Sequence, residues 1–329
     1  MRVMIIGGTG LLGYHAAHEL LERGHQVNIL ALPPLPAEDL FPPEVYINLS
    51  DFNQLSDGEV EQILLGHDAV VFAAGVDDRV TPKAPAYPFF HHHNVKTTQR
   101  LVQISRCANI RRFIILGSYF AYFHRVWPHL ELTRHHPYIR SRVEQHDAAV
   151  EAAGDELVVV TLELPYIFGV MPGRLPLWKP LVEYAASPLP LFYPSGGTTC
   201  VTVTDVAREI ATAVESGEAG GRYPVVGENL RWTELMSRLA HLSGRRKAVI
   251  TLPDWIVKAG AVLLKAWHML RGLESGLDPV HFIKLQTSHT FINTEETRVT
   301  LQDQADSLEN SLRETVERSL KKQDPARRS

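Results

Sequence analysis

Cysteine is nearly absent: Cys107 and Cys200 are the only two in 329 residues. Two thiols so far apart supply neither a disulfide framework nor a cysteine-rich metal site, and a reducing compartment suits them. An excess of one charge is missing too. The net charge of −4 leaves no electrostatic footprint for nucleic acid, so no such partner is expected. Long apolar runs are lacking, with one near-exception, Trp255–Leu270 (WIVKAGAVLLKAWHML), which Lys258, Lys265 and His268 interrupt. That segment is too short and too charged to span a bilayer. A buried or substrate-covering helix is expected there in preference to one lying on a membrane surface. No leader-like stretch precedes the first strand pattern, which begins at Arg2, so a cytoplasmic protein is expected.

What is present is ordinary for a globular chain: 45% hydrophobic and 21% charged residues, over a length that suits one large α/β domain with an appended lobe. The first half alternates short apolar runs with amphipathic ones. Strands are predicted at Arg2–Ile6, Gln26–Leu30, Val45–Ile47, Ala69–Phe72, Arg112–Leu116 and Leu157–Leu162. Helices are predicted at Leu11–Arg23, Ser56–Leu65, Val95–Cys107 and Tyr138–Ala153, with a proline-rich loop at Thr81–Pro88. Branched apolar strands without polar alternation read as buried on both faces, as a parallel sheet between helix layers requires. The predicted fold class is therefore α/β, a doubly wound parallel sheet. Beyond Pro165 the rhythm changes. Proline and glycine become frequent, and helical patterns return at Asp205–Glu215, Trp232–Ser243, Pro253–Leu270 and Ser307–Lys321.

The most specific feature is Gly7-Gly8-Thr9-Gly10-Leu11-Leu12-Gly13, directly after the run Val3-Met4-Ile5-Ile6 and directly before a helix. Gly7 permits a sharp turn. Gly10 has no side chain to hold a pyrophosphate away from the backbone, and Gly13 lets helix and strand pack closely. The helix N-terminus adds unpaired N–H groups and partial positive charge, so the strand–glycine–helix order reads as a nucleotide-phosphate site. On this basis residues 1–165 are expected to form a dinucleotide-binding Rossmann domain. Residues 166–322 are expected to form a smaller mixed α/β substrate lobe, whose segments near 200–227 return to the core. Residues 323–329 are expected to be a disordered tail.

Two further features lie where ligands bind in such sheets, past the strand C-termini. The fifth strand ends Ile115-Leu116-Gly117-Ser118. Twenty residues on, Tyr138-Ile139-Arg140-Ser141-Arg142 opens a helix, and Tyr138 and Arg142, four apart, share a face. A cation one turn away favours the phenolate and is expected to lower the tyrosine pKa, so that Tyr138 exchanges a proton with a substrate hydroxyl or carbonyl near neutral pH. Ser118 would donate a hydrogen bond to the same oxygen. The alternative reading is that Tyr138 only packs and Arg142 pairs with Glu144 or Glu163.

With these residues the chain resembles the extended short-chain dehydrogenase/reductase superfamily, the NAD-dependent epimerase/dehydratase group, over nearly its whole length. GGTGLLG is similar to the group's cofactor loop, with Gly7, Thr9, Gly10, Leu11, Leu12 and Gly13. Phe72-Ala73-Ala74-Gly75 resembles the turn that lies along the cofactor, and Asn94-Val95 the pair that opens the next helix. Ser118 falls at the active-site serine. Leu164-Pro165-Tyr166-Ile167-Phe168-Gly169 resembles the loop beside the nicotinamide, and Val203-Thr204-Asp205-Val206-Ala207 a signature of the second lobe. The resemblance implies a bound NAD or NADP, contacts from Ala73, Ala74, Gly75, Asn94, Pro165 and Ile167, and a catalytic set of Ser118, Tyr138 and the residue four places on.

Three departures shape the expected chemistry. The group's pattern is Tyr-x-x-x-Lys, and here Arg142 stands last. Arginine still orients ribose hydroxyls but is bulkier and planar, and does not relay a proton as lysine does. The end of the second strand reads Leu30-Ala31-Leu32-Pro33-Pro34, with neither the acid nor the base that would select NAD or NADP. Asn48, with Leu49, occupies the place of the aspartate that meets the adenine. Finally, Tyr166 and the stretch Ser195–Cys200 stand where relatives acting on nucleotide-linked sugars carry an asparagine and an arginine. A diphosphate without a cation would lose charge-assisted hydrogen bonds of about 1.5–3 kcal/mol each. A small, less polar substrate is therefore expected, with Tyr119-Phe120-Ala121-Tyr122-Phe123 either lining its pocket or packing the core.

The expected activity is hydride transfer between a nicotinamide and a hydroxyl or carbonyl. The alternatives are epimerisation or dehydration through a transient ketone, and a cofactor-sensing scaffold without turnover. Two helices flanking the sheet are compatible with a homodimer. Among the 16 histidines, His91-His92-His93 and His135-His136 are the densest groups. Neighbouring helical residues point about 100° apart, so no metal site is expected from them, and His136 is a candidate for the cleft wall only by its nearness to Tyr138.

Overall fold

The computed structural model describes residues 1–293 and 307–321. The tail expected to be disordered lies outside them. The first half runs β1 (Arg2–Ile6), α1 (Leu11–Glu22), β2 (Gln26–Ala31), β3 (Tyr46–Leu49), α2 (Asp57–Leu64) and β4 (Ala69–Phe72). It continues with α3 (Ala86–Phe90), a π-helical turn (His91–Lys96), α4 (Thr97–Cys107), β5 (Arg112–Ser118), α5 (Tyr119–Val126), α6 (Leu132–His135), α7 (Pro137–Ala153) and β6 (Val158–Leu164). The second half contains β7 (Tyr166–Phe168), α8 (Lys179–Ala186), β8 (Leu191–Tyr193), β9 (Gly197–Thr202), α9 (Val203–Ser216), β10 (Gly221–Pro224), β11 (Glu228–Arg231) and α10 (Trp232–Leu242). It closes with β12 (Val249–Thr251), α11 (Asp254–Leu270), α12 (Pro279–Gln286), β13 (His289–Thr290) and α13 (Leu308–Leu320).

Seven strands pair in the order β10-β6-β5-β4-β1-β2-β3, every pair parallel. The apolar runs read from the sequence account for six. The seventh, β10, comes from beyond Pro165, pairing Gly221 with Val160. Both faces of the sheet are covered, which is why β4 is apolar throughout and β1 is apolar from Val3 to Ile6. Ala16, Ala17 and Leu20 of α1 pack with Val206, Ile210 and Val214 of α9 on one face. Leu64 of α2, Leu101 of α4 and Ala149 of α7 cover the other. The strand order turns back at β1, with β2 on one side and β4 on the other. The crevice past their C-terminal ends is where such sheets take ligands.

Local chemistry fixes several boundaries. Ser56 caps α2: its hydroxyl accepts from Glu59 N–H, and the Glu59 carboxylate accepts from Ser56 N–H at 2.8 Å. The helical path expected from Val95 begins nine residues earlier at Ala86, because the π-helical turn carries α3 into α4 without a break. A second cluster built on Phe168, Trp232, Leu235 and Leu312 holds α8, α10 and α13 together.

One expectation fails. The helix at Trp255–Leu270 forms, but it is not buried: among its residues only His268 is, while Trp255, Leu263 and Met269 are about 70% exposed and Leu270 88%. The helix meets its neighbour α12 through a narrow stripe, and two of the stripe's members, Lys265 and His268, are polar.

Candidate active site

The glycine loop is built as its residue types require. Gly7 has φ +91°, and a Cβ there would lie 2.8 Å from Ala74 N and 2.9 Å from Ala73 C. The turn after β1 is thus pressed against the turn after β4, as only glycine allows. A Cβ on Gly13 would lie 2.5 Å from Gly7 O, so the third glycine lets α1 fold back on the loop. Gly10 differs. A Cβ there would meet only Gly7 O, at 3.3 Å, so its other side faces open space. Gly10 caps α1 with no side-chain bond, and no acid stands in the first turn. The first amides of α1 therefore keep their donors and partial positive charge for an anion.

A cleft of about 750 Å³ runs from this loop across the crevice. Gly7, Thr9, Gly10, Leu11 and Leu12 line one end, Ala73–Gly75 and Leu30–Leu32 its floor, and Ser118, Tyr138, Arg142, Pro165 and Ile167 its centre. Gly13 lies behind the loop. Asn48 and Leu49 do not reach the cleft lining, where Phe52 stands instead, and the Asn48 carboxamide oxygen accepts from Ser50 Oγ at 2.7 Å. Asn94, fully buried in the π-helical turn, also stands behind the wall. Its amide brackets Val76, accepting from Val76 N and donating to Val76 O at 3.2 Å each, and donates to Ser141 Oγ at 3.1 Å. It fixes the floor turn to α7.

Ser118 ends β5 and caps α5, its hydroxyl accepting from Phe120 N–H at 3.4 Å. Tyr138 lies in the first turn of α7 and is 4% exposed. Ser118 and Arg142 are its polar neighbours and both favour the phenolate, and the Arg142 guanidinium carbon is 5.2 Å from its ring centroid. Arg142 is held as a fork. Nη1 donates to Gln145 Oε1 at 2.9 Å, Nη2 to Val76 O at 3.2 Å, and Nε is buried with no protein partner. The pairing considered for it does not form: Glu144 takes Arg140 and the Tyr87 hydroxyl, and Glu163 takes Arg125.

The expected acidification of Tyr138 is overturned. Arg142 pulls the phenol pKa down, as does the hydrogen bond with Ser118, but burial acts more strongly and the net shift is upward. Tyr138 therefore stands as a neutral phenol. Burial and the adjacent Asp77 likewise push the carboxyl of Asp78, at the cleft edge, above the usual carboxylate range.

Sequence reasoning missed two contributors. Arg174 lines the cleft, and its Nε donates to Thr9 O at 3.0 Å. Its only advance signal is Gly173, which at φ +74° lies against the backbone of Pro36 and brings the segment over the glycine loop. Together with Arg79, which pairs with Asp77, it shows that the cleft is not free of guanidinium groups. The second contributor is Gly276, whose carbonyl accepts from Tyr138 N–H at 2.9 Å. A Cβ there would lie 2.5 Å from the Phe90 ring and 2.9 Å from Tyr138 Cβ, so the segment before α12 straps the start of α7.

His136 is not a wall of the cleft. It is 1% exposed, its Nδ1 accepts from Asp278 N–H at 3.0 Å, and burial lowers its pKa to about 4. Among the described residues no three His, Cys, Asp or Glu side chains converge as metal ligands. The aromatic stretch after Ser118 divides: Tyr119 and Phe120 line the cleft, and Phe123 packs on Trp127 in the core.

The sequence matches the family model described as NAD(P)H-binding over residues 7–216. The chain belongs to the NAD(P)H-binding family. The glycine cradle, the uncapped start of α1 and the unpartnered Arg142 Nε fit such a cofactor, NAD or NADP. Two curated relatives match across most of the chain. Sterol demethylase protein B of Methylococcus capsulatus is 26% identical over 282 residues, 80% of this chain and 81% of that protein. Ceramide reductase of Caulobacter vibrioides is 27% identical over 286 residues, 83% and 80%. Among solved structures, that of gox2253 superposes with a TM-score of 0.76 at 18% identity, covering 96% of this chain and 97% of the other. The fold is the one seen in that structure, and the family match makes this an NAD(P)H-binding chain.

Proposed function

We propose that this family member is an NAD(P)-dependent oxidoreductase that interconverts a hydroxyl and a carbonyl on a small, largely apolar molecule not linked to a nucleotide. The observation that carries the reading is the neutral Tyr138 phenol, set with Ser118 and Arg142 at the centre of the cleft that begins at the glycine loop. When bound there, the cofactor supplies or accepts the hydride. The amides of Leu11 and Leu12 would hold its phosphates, and Arg142 would orient its ribose. In the reducing direction the Tyr138 hydroxyl donates its proton to the substrate carbonyl oxygen while Ser118 Oγ donates a hydrogen bond to the same atom. A buried phenol suits this role, since it begins protonated. Arg142 then stabilises the phenolate left behind, which burial alone would disfavour.

The reading of the substrate as apolar is supported by the cleft wall of Leu116, Phe120, Tyr166, Leu177 and Trp178, with Tyr166 and Trp178 stacked at 4.5 Å. The two relatives matched over most of the chain carry names that refer to a sterol and a ceramide, both lipids. Removing the phenol is the test. Tyr138→Phe is expected to bind NAD or NADP as the wild type does and to lose roughly a hundredfold or more in kcat on hydrophobic ketones and alcohols. Full activity in Tyr138→Phe would remove the mechanism, and dinucleotide binding without turnover by the wild type would leave a cofactor-sensing protein.

A further inference from the structure

The helix α11 is amphipathic the wrong way round. Its contact stripe toward the body is Val257, Ala261, Lys265 and His268, spaced at four, four and three residues. Lys265 Nζ donates to Asp278 Oδ2 at 2.5 Å, and the His268 ring lies 3.3 Å from Ser275 Oγ. The large apolar residues point away: Trp255, Leu263, Leu264, Trp267, Met269 and Leu270 are between 45% and 88% exposed. An exposed apolar face this long is uncommon on a monomer and marks a docking surface. Further exposed apolar residues stand on the parallel pair that precedes the helix, where Phe192 of β8 and Ile250 of β12 are in register and both over 40% exposed.

We propose that α11 is an interfacial helix that seats the protein on an anionic lipid bilayer. Four observations favour a bilayer over a protein partner. Tryptophan stands in the first and last turns, Trp255 and Trp267, as in segments that lie at the lipid–water boundary. Exposed cations flank the apolar face: Arg245 and Arg246 precede β12, Lys258 lies on the helix, and Arg271 follows it, stacked 4.1 Å from the Trp267 ring centroid. From residue 245 to 272 the sequence carries six Lys or Arg and one acid, Asp254. Two copies face to face would set like net charge against like, whereas anionic headgroups complement it. Finally, at 17 residues α11 is shorter than the usual spanning helix of about 20, and no helix among the described residues is long and apolar enough to cross a membrane. It lies in the interface plane.

The placement has a consequence for the cleft. The chain leaving α11 runs through Gly276 onto Tyr138, and α12 sets Phe282 at 5.8 Å from Phe120 in the cleft wall. The docked helix is thus tied to the cleft wall by one continuous segment, on the side from which an amphiphile would be taken up. That last step rests on the proposed function; the docking itself does not.

Flotation of the full chain, without cofactor or substrate, tests the docking apart from the chemistry. The probes are phosphatidylcholine vesicles with and without phosphatidylglycerol. The wild type is expected to float with the anionic vesicles, less with added salt, and weakly with phosphatidylcholine alone. Leu263→Asp with Trp267→Asp is expected to lower binding by about tenfold or more at an unchanged melting temperature, since both sites are exposed. Lys258→Glu with Arg271→Glu is expected to lower binding to anionic vesicles by about tenfold or more and to leave the weak neutral binding in place. Wild-type protein that stays unbound with both vesicles overturns the proposal, as do variants that float like the wild type. A dimer that Leu263→Asp dissociates, with no vesicle binding, overturns it in favour of a protein interface.

Discussion

Gly7 and Gly10, three residues apart in one loop, are expected to fail in opposite ways when given a methyl group. At Gly7 the methyl meets backbone on every near side, with Ala74 N at 2.8 Å, Ala73 C at 2.9 Å and Ala73 O at 3.0 Å, and φ is +91°. The backbone conformation alone costs an alanine about 1–2 kcal/mol, and atoms that cannot withdraw add about 1–3 kcal/mol more. Gly7→Ala is thus expected to destabilise the fold by roughly 2–5 kcal/mol, a fall in melting temperature of several degrees. At Gly10 φ is −88°, which alanine adopts freely, and the methyl meets only Gly7 O, at 3.3 Å. The loss of a tolerable N-cap costs about 0.5–1 kcal/mol. The methyl instead stands over the open side of the first amides of α1. Forfeiting one charge-assisted hydrogen bond there is worth about 1.5–3 kcal/mol, or roughly 10- to 100-fold in dinucleotide affinity. Melting curves and calorimetric titration with NAD and NADP, run on both variants, separate the two effects. A Gly10→Ala protein that binds as tightly as the wild type refutes the assignment of that face to a phosphate. An unchanged melting temperature for Gly7→Ala refutes the packing argument.

Two other outcomes are expected. Arg142→Lys loses the fork to Gln145 and Val76, which costs about 1–2 kcal/mol in a denaturant melt, and kcat does not rise because the pocket is built for a guanidinium; a gain in turnover would show a decayed lysine site instead. Burial and the neighbouring Asp205 push the Glu209 carboxyl up to about 7. A raised carboxyl pKa means that the folded protein holds a proton the unfolded chain releases, so the stabilisation is complete below about pH 4.5 and is lost as pH rises through 7. Glu209→Gln, which keeps the neutral form, is expected to match the wild type near pH 4.5 and to gain about 3 kcal/mol on it above pH 7; parallel stability–pH curves would refute this.

The parts of the site that were legible in the sequence are those whose cause is local. A glycine that must turn at the end of β1 is written beside the strand that makes it turn, and six of the seven sheet strands carry a mainly apolar run that marks them. The i, i+4 spacing correctly brought Arg142 to Tyr138. Spacing carries the sign of that interaction but not its competitor: the burial that outweighs it comes from Phe90, Gly276 and the rest of the wall, distant in the chain. Asn94 stands at the place the family resemblance gave it, yet its carboxamide is spent on Val76 and Ser141, a partnership no motif encodes. Arg174 lay hidden in a proline- and glycine-rich stretch because its address is set by Gly173 against Pro36, a contact visible only once β2 and the second half of the chain are folded together.

The helix α11 shows a limit of a different kind. Hydropathy states that an apolar face must leave water, but not which solvent or surface receives it. Burial in the body was the default, and two residues decide against it. Lys265 is tied to Asp278 and His268 lies against Ser275, so the polar members of the helix are committed inward and the apolar face turns out. Asp278 is the joint of this arrangement. Its second carboxylate oxygen accepts from the amides of Val280 and His281 and so caps α12, and its own amide donates to His136 at the start of α7. Hydrogen bonding from Lys265 and His281 holds its pKa near 2 against the opposing effect of burial, so the carboxylate remains charged wherever the protein is folded at ordinary pH. One ionised side chain thus fixes the outward helix, the helix that carries Phe282, and the segment that straps Tyr138. A surface whose position is locked to Tyr138 through a single charged joint is placed to act with the cleft rather than beside it.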